Sequence, residues 1–386
     1  MKALAITSKG IEETTTKEIN GIIKTKTEQK NSCVVFEPKE LIDLCTLCYK
    51  AQSITQVLTL FDSFNFKTND EFFSSIKNIV DKINLDEWLD KDKTFRVSCS
   101  KVDNDSISSE EINTEIGGFI IDKIKKSKKY EQKVNLDNPD VIFYVFISNN
   151  DCFFGIDFAG IDLSKRDYKV FSHPAALKGT VAYALLRIAD YKKGEILLDP
   201  FTGSGTIPIE AALSSSNISP NYFRKDRFAF LKLKCFSDID FDDFFDKIDR
   251  LKKIEKKPMI NAFDAQFRYV DASKKNAKIA GVDKIINFSR MEIEWLDTKM
   301  DKNCIDKIVT NPPAISKHTN PKDIEKLYNE FFYQADFILK KKGKIVTIAR
   351  SPEELKKAAE KHKFKLKEEK PIWLGKQESK VIVFTK

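Results

Sequence analysis

Glycine and proline are scarce in this chain, 13 and 12 in 386 residues, which excludes a collagen-like or low-complexity protein. Histidine is scarcer still, with only His173, His318 and His362. The seven cysteines are odd in number and scattered, and only Cys45 and Cys48 form a CxxC pair. With no second Cys/His pair at zinc-ligand spacing, no metal site is expected. The CxxC lies inside the apolar, helix-like run Leu41–Ala51 rather than at a helix start, where the dipole would lower a thiol pKa. Packing rather than redox chemistry is expected of it. No stretch approaches the ~20 continuous apolar residues of a membrane span. The opening MKALAITSKGIEE has no apolar core of about 7–15 residues before its first charges, so a secretory signal is not expected. These absences predict a soluble, cytoplasmic protein.

Apolar and charged side chains are abundant: 41% of residues are hydrophobic and 32% charged, enough for sizeable cores. At roughly 100–200 residues per domain, the length allows two or three domains. The formal charge of +8 is unevenly spread. Residues 1–66 carry 8 basic and 8 acidic side chains, residues 67–157 carry 13 and 18 (net −5), and residues 158–386 carry 45 and 32 (net +13). An electropositive C-terminal half suits a polyanion such as RNA, and equally a lysine-rich solvated surface. In the acidic segment one dense basic patch stands out, Lys123, Lys125, Lys126, Lys128 and Lys129. It falls where a helix is expected to end, and cations are favoured there on dipole grounds alone.

The first ~65 residues read as a small α+β unit. Strands are expected at Ala3–Thr7, Cys33–Phe36 and Ile54–Phe61, and helices at Ile11–Ile23 and Pro38–Tyr49. Helices over Asn69–Ile83 and Ser109–Ser127 then flank a strand at Thr94–Ser100. Strands Asp140–Ser148 and Cys152–Asp157 follow, joined by an Asn-rich hairpin turn at Asn149–Asp151. From about residue 173 the rhythm becomes βαβ. Ser172-His-Pro-Ala predicts a helix start with proline in its first turn, continued at helical spacing by Leu177, Val181, Leu185 and Ile188. Strands are expected at Glu195–Asp199, Met259–Asp264, Ile285–Arg290, Cys304–Thr310, Gly343–Ala349, Phe364–Glu368 and Lys380–Thr385. Helices such as Asp271–Ala280 and Lys322–Lys341 fill the gaps, so a parallel, doubly wound sheet is predicted. The gap Ser214–Lys257 is too long for one crossover. Its aromatic run from Asn221 to Phe230 and helix-like Phe241–Lys257 predict an insertion against that sheet, either capping the domain or touching substrate.

Leu197-Leu-Asp-Pro-Phe-Thr-Gly-Ser-Gly-Thr is the strongest local signal: an apolar strand ending in Asp199, a Gly-x-Gly turn, then a helix from near Ser204. Glycines permit a tight turn and close approach of backbone N–H groups to a ligand. A dinucleotide fingerprint would need glycine where Pro208 stands, and a P-loop would need Gly-Lys-Ser/Thr. The pattern instead suits a ligand with an amino-acid end and a nucleoside end: Asp199 for an ammonium, the turn amides for a carboxylate. That describes S-adenosylmethionine (SAM). Asp264 ends the second strand, where a carboxylate can accept both ribose hydroxyls, and Glu292 lies just past the third, where it can accept from an adenine amino group. Val309-Thr-Asn-Pro-Pro-Ala ends the fourth strand, next to the switch point of an open sheet with order 3-2-1-4-5. An exocyclic base amine is a poor nucleophile because its lone pair is delocalised. The Asn311 side-chain oxygen and the Pro312 carbonyl can accept its two N–H groups and steer the lone pair, which is catalysis by positioning. Asn-Pro-Pro is also compatible with a plain rigid turn.

Together these motifs resemble the class I methyltransferases and, more narrowly, the THUMP-domain RNA methyltransferases, over nearly the whole chain. Asp199, Pro200, Phe201, Thr202, Gly203, Ser204, Gly205 and Thr206 are similar to the family's cofactor motif, and Asn311, Pro312 and Pro313 to its amino-methyltransferase motif. Val134–Ile147 is similar to the closing strand region of a THUMP domain, Gly160–Ala189 to the linker into the catalytic domain, and Phe223–Phe236 to an insertion after its first helix. The resemblance implies an α/β fold: a Rossmann-like class I methyltransferase domain with a mostly parallel seven-stranded sheet, preceded by α+β ferredoxin-like and THUMP domains. The implied divisions are 1–66 ferredoxin-like, 67–158 THUMP, 159–192 linker and helix, and 193–386 methyltransferase. SAM is the implied cofactor, held by Asp199–Thr206, Asp264, Ala265 and Glu292. The implied RNA contacts are Lys125, Lys126, Lys128 and Lys129, and a monomer is expected.

The activity so implied is N2-methylation of a guanosine in the tRNA acceptor stem, at guanosine 6, with 23S rRNA as the alternative substrate. The chain departs from the family where an aromatic, often Tyr-Gly, usually follows the two prolines: it has Ala314-Ile315. That aromatic stacks the flipped base, so His318, Phe331, Tyr333, Phe171 and His173 are candidates to replace it. A catalytically silent RNA-binding protein is the rival reading, and a protein glutamine methyltransferase a third, which would leave the THUMP-like half without a task.

Overall fold

Val141–Ser148, VIFYVFIS, has no polar alternation, and all eight residues are buried. A strand of that kind must have neighbours on both sides and cover on both faces. It is β7 of an eight-stranded sheet, whose other members are β1 Ala3–Thr7, β2 Thr27–Lys30, β3 Cys33–Phe36, β4 Ile54–Asn65, β5 Thr94–Val102, β6 Lys133–Val134 and β8 Asp151–Asp157. The order is β2-β3-β1-β4-β8-β7-β5-β6, so strands from both expected N-terminal domains join in one sheet through the β4–β8 pair. Asn149 supplies the positive φ (53°) of the β7–β8 hairpin.

This computed structural model describes residues 1–254, 259–314, 320–375 and 377–386. The chain divides into two compact units, one of residues 1–7, 15–163 and 221–250, the other of 8–14, 164–220 and 251–386. In the first, the helices Asn69–Lys82 and Ser109–Lys128 begin as their sequences direct. Thr68 accepts from the Glu71 amide at 3.2 Å and Ser108 from the Glu111 amide at 3.0 Å. Cys45 and Cys48 lie in the helix Ile42–Lys50, fully buried, and burial pushes both thiols well up, which suits packing.

The expected insertion is the main correction. Asn221–Arg250 belongs to the first unit and packs there. The Ala229 and Phe230 amides donate to the carbonyls of Ala159 and Phe158, both at 3.1 Å. Phe228 and Phe245 pack on Tyr49, with ring centroids 6.4 and 4.7 Å away. An aromatic run needs apolar surface, and the helix Ile42–Lys50 offers it. The helix of this segment spans Phe241–Asp249, shorter than expected, and residues 255–258 lie outside the described ones.

The second unit holds the predicted doubly wound sheet. Its strands are β9 Leu197–Asp199, β10 Ile260–Asp264, β11 Ile286–Arg290, β12 Ile305–Thr310, β13 Leu339–Ala349, β14 Lys365–Leu374 and β15 Gln377–Thr385. The order is β11-β10-β9-β12-β13-β15-β14; β9 to β13 pair in parallel, and β15 runs antiparallel to both neighbours. β9 lies at the centre, and the chain leaves it towards β10 on one side and returns to β12 on the other. The helix expected from Ser172 starts only at Gly179 and runs to Ile188. His173 accepts from the Ala175 amide at 3.1 Å through Nδ1, and the Ala176 amide donates to the His173 carbonyl at 3.0 Å. This local turn competes with the helix and wins.

Candidate active site

Parallel pairing puts the carboxyl ends of β9, β10 and β12 at one edge of the sheet, so Asp199, Asp264 and Thr310 converge there although they are far apart in sequence. Asp199 is 1% exposed. Its Oδ1 accepts the Thr310 hydroxyl at 2.6 Å and the Phe201 amide at 3.3 Å. Burial nevertheless dominates, and its pKa is pushed up to about 7.

The turn that follows has φ of +52° at Gly203 and +86° at Gly205, values a side chain resists. At Gly205 a Cβ would also come within 2.2 Å of the Ser273 hydroxyl. Gly205 starts the helix Thr206–Ser215 with no side chain capping it, which leaves the positive end of the helix turned to this edge of the sheet. Asp264 helps to build the turn: its Oδ2 accepts from the Gly203 amide at 3.0 Å and its Oδ1 from the Gln266 amide at 2.9 Å. Each oxygen keeps a lone pair for a further donor.

Asn311 follows Thr310. Its Nδ2 donates to the Ala175 carbonyl at 3.0 Å, which fixes the amide and leaves Oδ1 as its accepting end. The Tyr328 hydroxyl donates to the Pro313 carbonyl at 2.7 Å and braces the two prolines from the buried side. A narrow cleft, with a volume of about 30 Å³, lies between these elements.

Of the residues nominated from sequence, Asp199, Phe201, Thr202, Gly203, Ser204, Thr206 and Asn311 line this cleft. Pro200, Gly205 and Pro312 are buried and outside the lining. Asp264, half-buried, and Ala265, exposed, stand at the end of β10. Glu292 is exposed past the end of β11, outside the cleft lining, and Pro313 is exposed. Sequence reasoning missed Ala175, Ala176, Leu177 and Ile207 in the lining and the bracing roles of Thr310 and Tyr328. The first three were hidden by the helix expected over them. Of the five candidates for the absent aromatic, His173 lines the cleft. Phe331 is fully buried, Tyr333 packs on His362, and Phe171 is exposed outside the lining. His318 lies outside the described residues.

The nominated lysines belong to the first unit. Lys125, Lys126, Lys128 and Lys129 are exposed at the end of the helix Ser109–Lys128. Lys128 pairs with Asp86 at 2.6 Å. Lys123 serves the fold: its ammonium donates to the carbonyls of Val80 (2.7 Å), Asp81 (3.2 Å) and Ile83, closing the end of the helix Asn69–Lys82. Among the described residues no group of three or more His, Cys, Asp or Glu could hold a metal, and no helix is long and apolar enough to cross a membrane.

Residues 166–380 match the family described as RMKL-like, methyltransferase domain, and residues 71–157 match the THUMP domain. The chain is 33% identical over 321 residues to a tRNA (guanine(6)-N2)-methyltransferase of Methanocaldococcus jannaschii, spanning 82% of this chain and 81% of that one. It is 29% identical over 379 residues to the protein of the same name from Archaeoglobus fulgidus, spanning 97% and 90%. The solved structure of SMU.472, complexed with SAH, has a TM-score of 0.82 at 20% identity, over 100% of this chain and 97% of that one, and so shares its fold.

Proposed function

The chain belongs to the RMKL-like methyltransferase family and carries a THUMP domain, and we propose that it forms N2-methylguanosine at guanosine 6 of the tRNA acceptor stem, with SAM as methyl donor. The observation that carries this reading is Asn311 at the end of β12, its Nδ2 committed to the Ala175 carbonyl and its oxygen left to accept, in one cleft with Asp199 and the Gly203–Gly205 turn.

The residues fit SAM. A carboxyl whose pKa burial raises gains from meeting the ammonium of the amino-acid end. An uncapped helix start behind two positive-φ glycines suits its carboxylate. Asp264 would take the ribose hydroxyls, and Ala265 and Glu292 would take the adenine. When bound, SAM supplies an electrophilic methyl on a positively charged sulfur. The chain's own part is to hold the base: the Asn311 oxygen and the Pro312 carbonyl accept the two N–H groups of the guanine amine, which turns its lone pair out of conjugation. The prolines keep these acceptors in place, so little reorganisation accompanies transfer. The THUMP segment, with Lys125, Lys126, Lys128 and Lys129, would hold RNA phosphates. A monomer acting in the cytoplasm, divided at 1–66, 67–158, 159–192 and 193–386, completes the reading.

The test is methyl transfer from labelled SAM to tRNA and, separately, rRNA from cells lacking the protein, followed by digestion to nucleosides and mapping. N2-methylguanosine at position 6 of tRNA is expected. Label in rRNA alone would move the substrate to 23S rRNA. No label in either pool, with SAM still bound, would leave a silent RNA-binding protein.

A further inference from the structure

A base withdrawn from its helix loses its stacking partners, and proteins that take one recover that loss on an aromatic side chain. The residue after the two prolines, Ala314, has no ring. Among the described residues, two that bear rings line the cleft, Phe201 and His173. The Phe201 ring leans on Phe331, with centroids 5.7 Å apart, and Phe331 is part of the core below the sheet edge. His173 is held differently. Its edge meets Tyr269, with centroids 4.3 Å apart and planes at 75°. Gly203 makes room beside it, since a Cβ there would stand 3.2 Å from its Cγ. Its Nδ1 accepts from the Ala175 amide, so the ring proton sits on Nε2. The Ala175 carbonyl in turn accepts from Asn311. One three-residue turn therefore sets both the imidazole plane and the amide of Asn311.

We propose that His173 is the base-stacking residue of this site, its ring taking the face of the target guanine while Asn311 holds the amine. The proposal rests on the reading of the chain as a guanine-N2 methyltransferase and names a residue that determines how the base is seated. Ring and acceptor can be separated by substitution. His173→Asn keeps an acceptor for the Ala175 amide but has no aromatic ring, whereas His173→Phe keeps a ring and has no acceptor.

The experiment measures steady-state methylation of tRNA, SAM affinity by calorimetry, and fluorescence of tRNA carrying 2-aminopurine at the target position. If His173 stacks the base, His173→Asn lowers kcat/KM for tRNA by about 5–150-fold, the range that one stacking contact spans. SAM affinity stays unchanged, and bound 2-aminopurine is brighter than in the wild-type complex because nothing quenches it. His173→Phe retains most activity, and Ala314→Tyr restores activity to His173→Asn by supplying a ring from the other wall. The opposite pattern, with His173→Asn active and His173→Phe impaired, would show that the residue only shapes its turn and would overturn the proposal. Loss of SAM affinity in step with activity, with unchanged fluorescence, would overturn it too by making the ring part of the cofactor pocket. A wild-type chain that methylates no RNA would instead remove the reading on which the proposal rests.

Discussion

Asp199 shows what burying a single carboxyl costs the fold. Its carboxyl titrates near 7, against 3.8 for the ordinary group, because burial outweighs the hydrogen bonds from Thr310 and Phe201. A carboxyl whose folded pKa is raised holds its proton more tightly when folded. The stability tied to it is therefore present at low pH and lost as pH rises from about 4 through about 7. Asp199→Asn, which can still accept from Thr310, should raise the melting temperature at pH 8, with the gain fading toward pH 4. The same substitution should weaken SAM binding. In the wild type, SAM affinity should strengthen as pH rises through about 7, as the carboxylate that meets the ammonium becomes ionised. Calorimetry across pH 5.5–8.5 tests both signs, and an affinity independent of pH would remove Asp199 from the ammonium site.

Asn311 is the complementary case: if it holds the target amine, its contribution falls on transfer and not on cofactor binding. Asn311→Ala should lower kcat by about 10²–10³, the scale of losing one preorganised polar group at a reacting centre, with SAM affinity unchanged. Retained turnover would refute its placement. The placement of both residues in one cleft was legible from sequence, because Asp-x-x-x-Gly-x-Gly and Asn-Pro-Pro each end a strand of an open parallel sheet. Thr310 and Tyr328 were not legible, since a hydroxyl that braces a neighbour leaves no pattern.

Elements were readable where periodicity and pairing agree. The seven strands of the second sheet were all expected, and β11-β10-β9-β12-β13 has the 3-2-1-4-5 order expected of an open parallel sheet. The failures are local competitions. The helix over Lys322–Lys341 stops at Ile338 because Leu339 pairs with Ile305 at the start of β13, a long-range contact that three consecutive lysines do not announce. The turn at His173 replaces a first helical turn through one side-chain acceptor. Just before it, the segment leading into this unit is anchored by a buried ion pair. Arg166 and Glu210 are both fully buried at the side chain, with Nε–Oε1 at 2.8 Å and Nη2–Oε2 at 3.2 Å, and the Tyr168 hydroxyl adds a bond to Oε1 at 2.7 Å. Gly179 is the cover, since a Cβ there would stand 2.7 Å from both Arg166 Nε and Glu210 Oε1. Removing one partner strands a charge in the interior, so Arg166→Ala should cost about 3–5 kcal/mol in urea unfolding. Arg166→Met with Glu210→Leu should cost less than either single change. A double variant as unstable as the sum of the singles would show that the pair acts independently of its charge.

At the scale of the whole molecule, net charge misleads and the placement of individual charges matters. The THUMP-like stretch is acidic overall, yet its lysines divide into two kinds. Lys123 caps helix carbonyls, and Lys128 meets Asp86 in an exposed ion pair. Lys125, Lys126 and Lys129 are exposed, and no ion-pair partner faces them among the described residues. If these three meet phosphates, each releases about 0.7–0.9 of a counterion on binding. Replacing all three by Gln should then flatten the plot of log affinity for tRNA against log salt by about 2–2.7. Melting temperature and SAM affinity should stay as they were. Lys123→Gln should do the reverse, lowering stability through its lost carbonyl contacts while leaving the salt slope in place. Sequence placed Lys123 in one cluster with the four nominated RNA contacts; the fold separates Lys123, which holds a helix end, from those four exposed lysines, of which Lys128 alone has a surface ion-pair partner among the described residues. An unchanged slope in the triple variant would move the RNA contact elsewhere and return these lysines to the plain role of cations at a helix C-terminus.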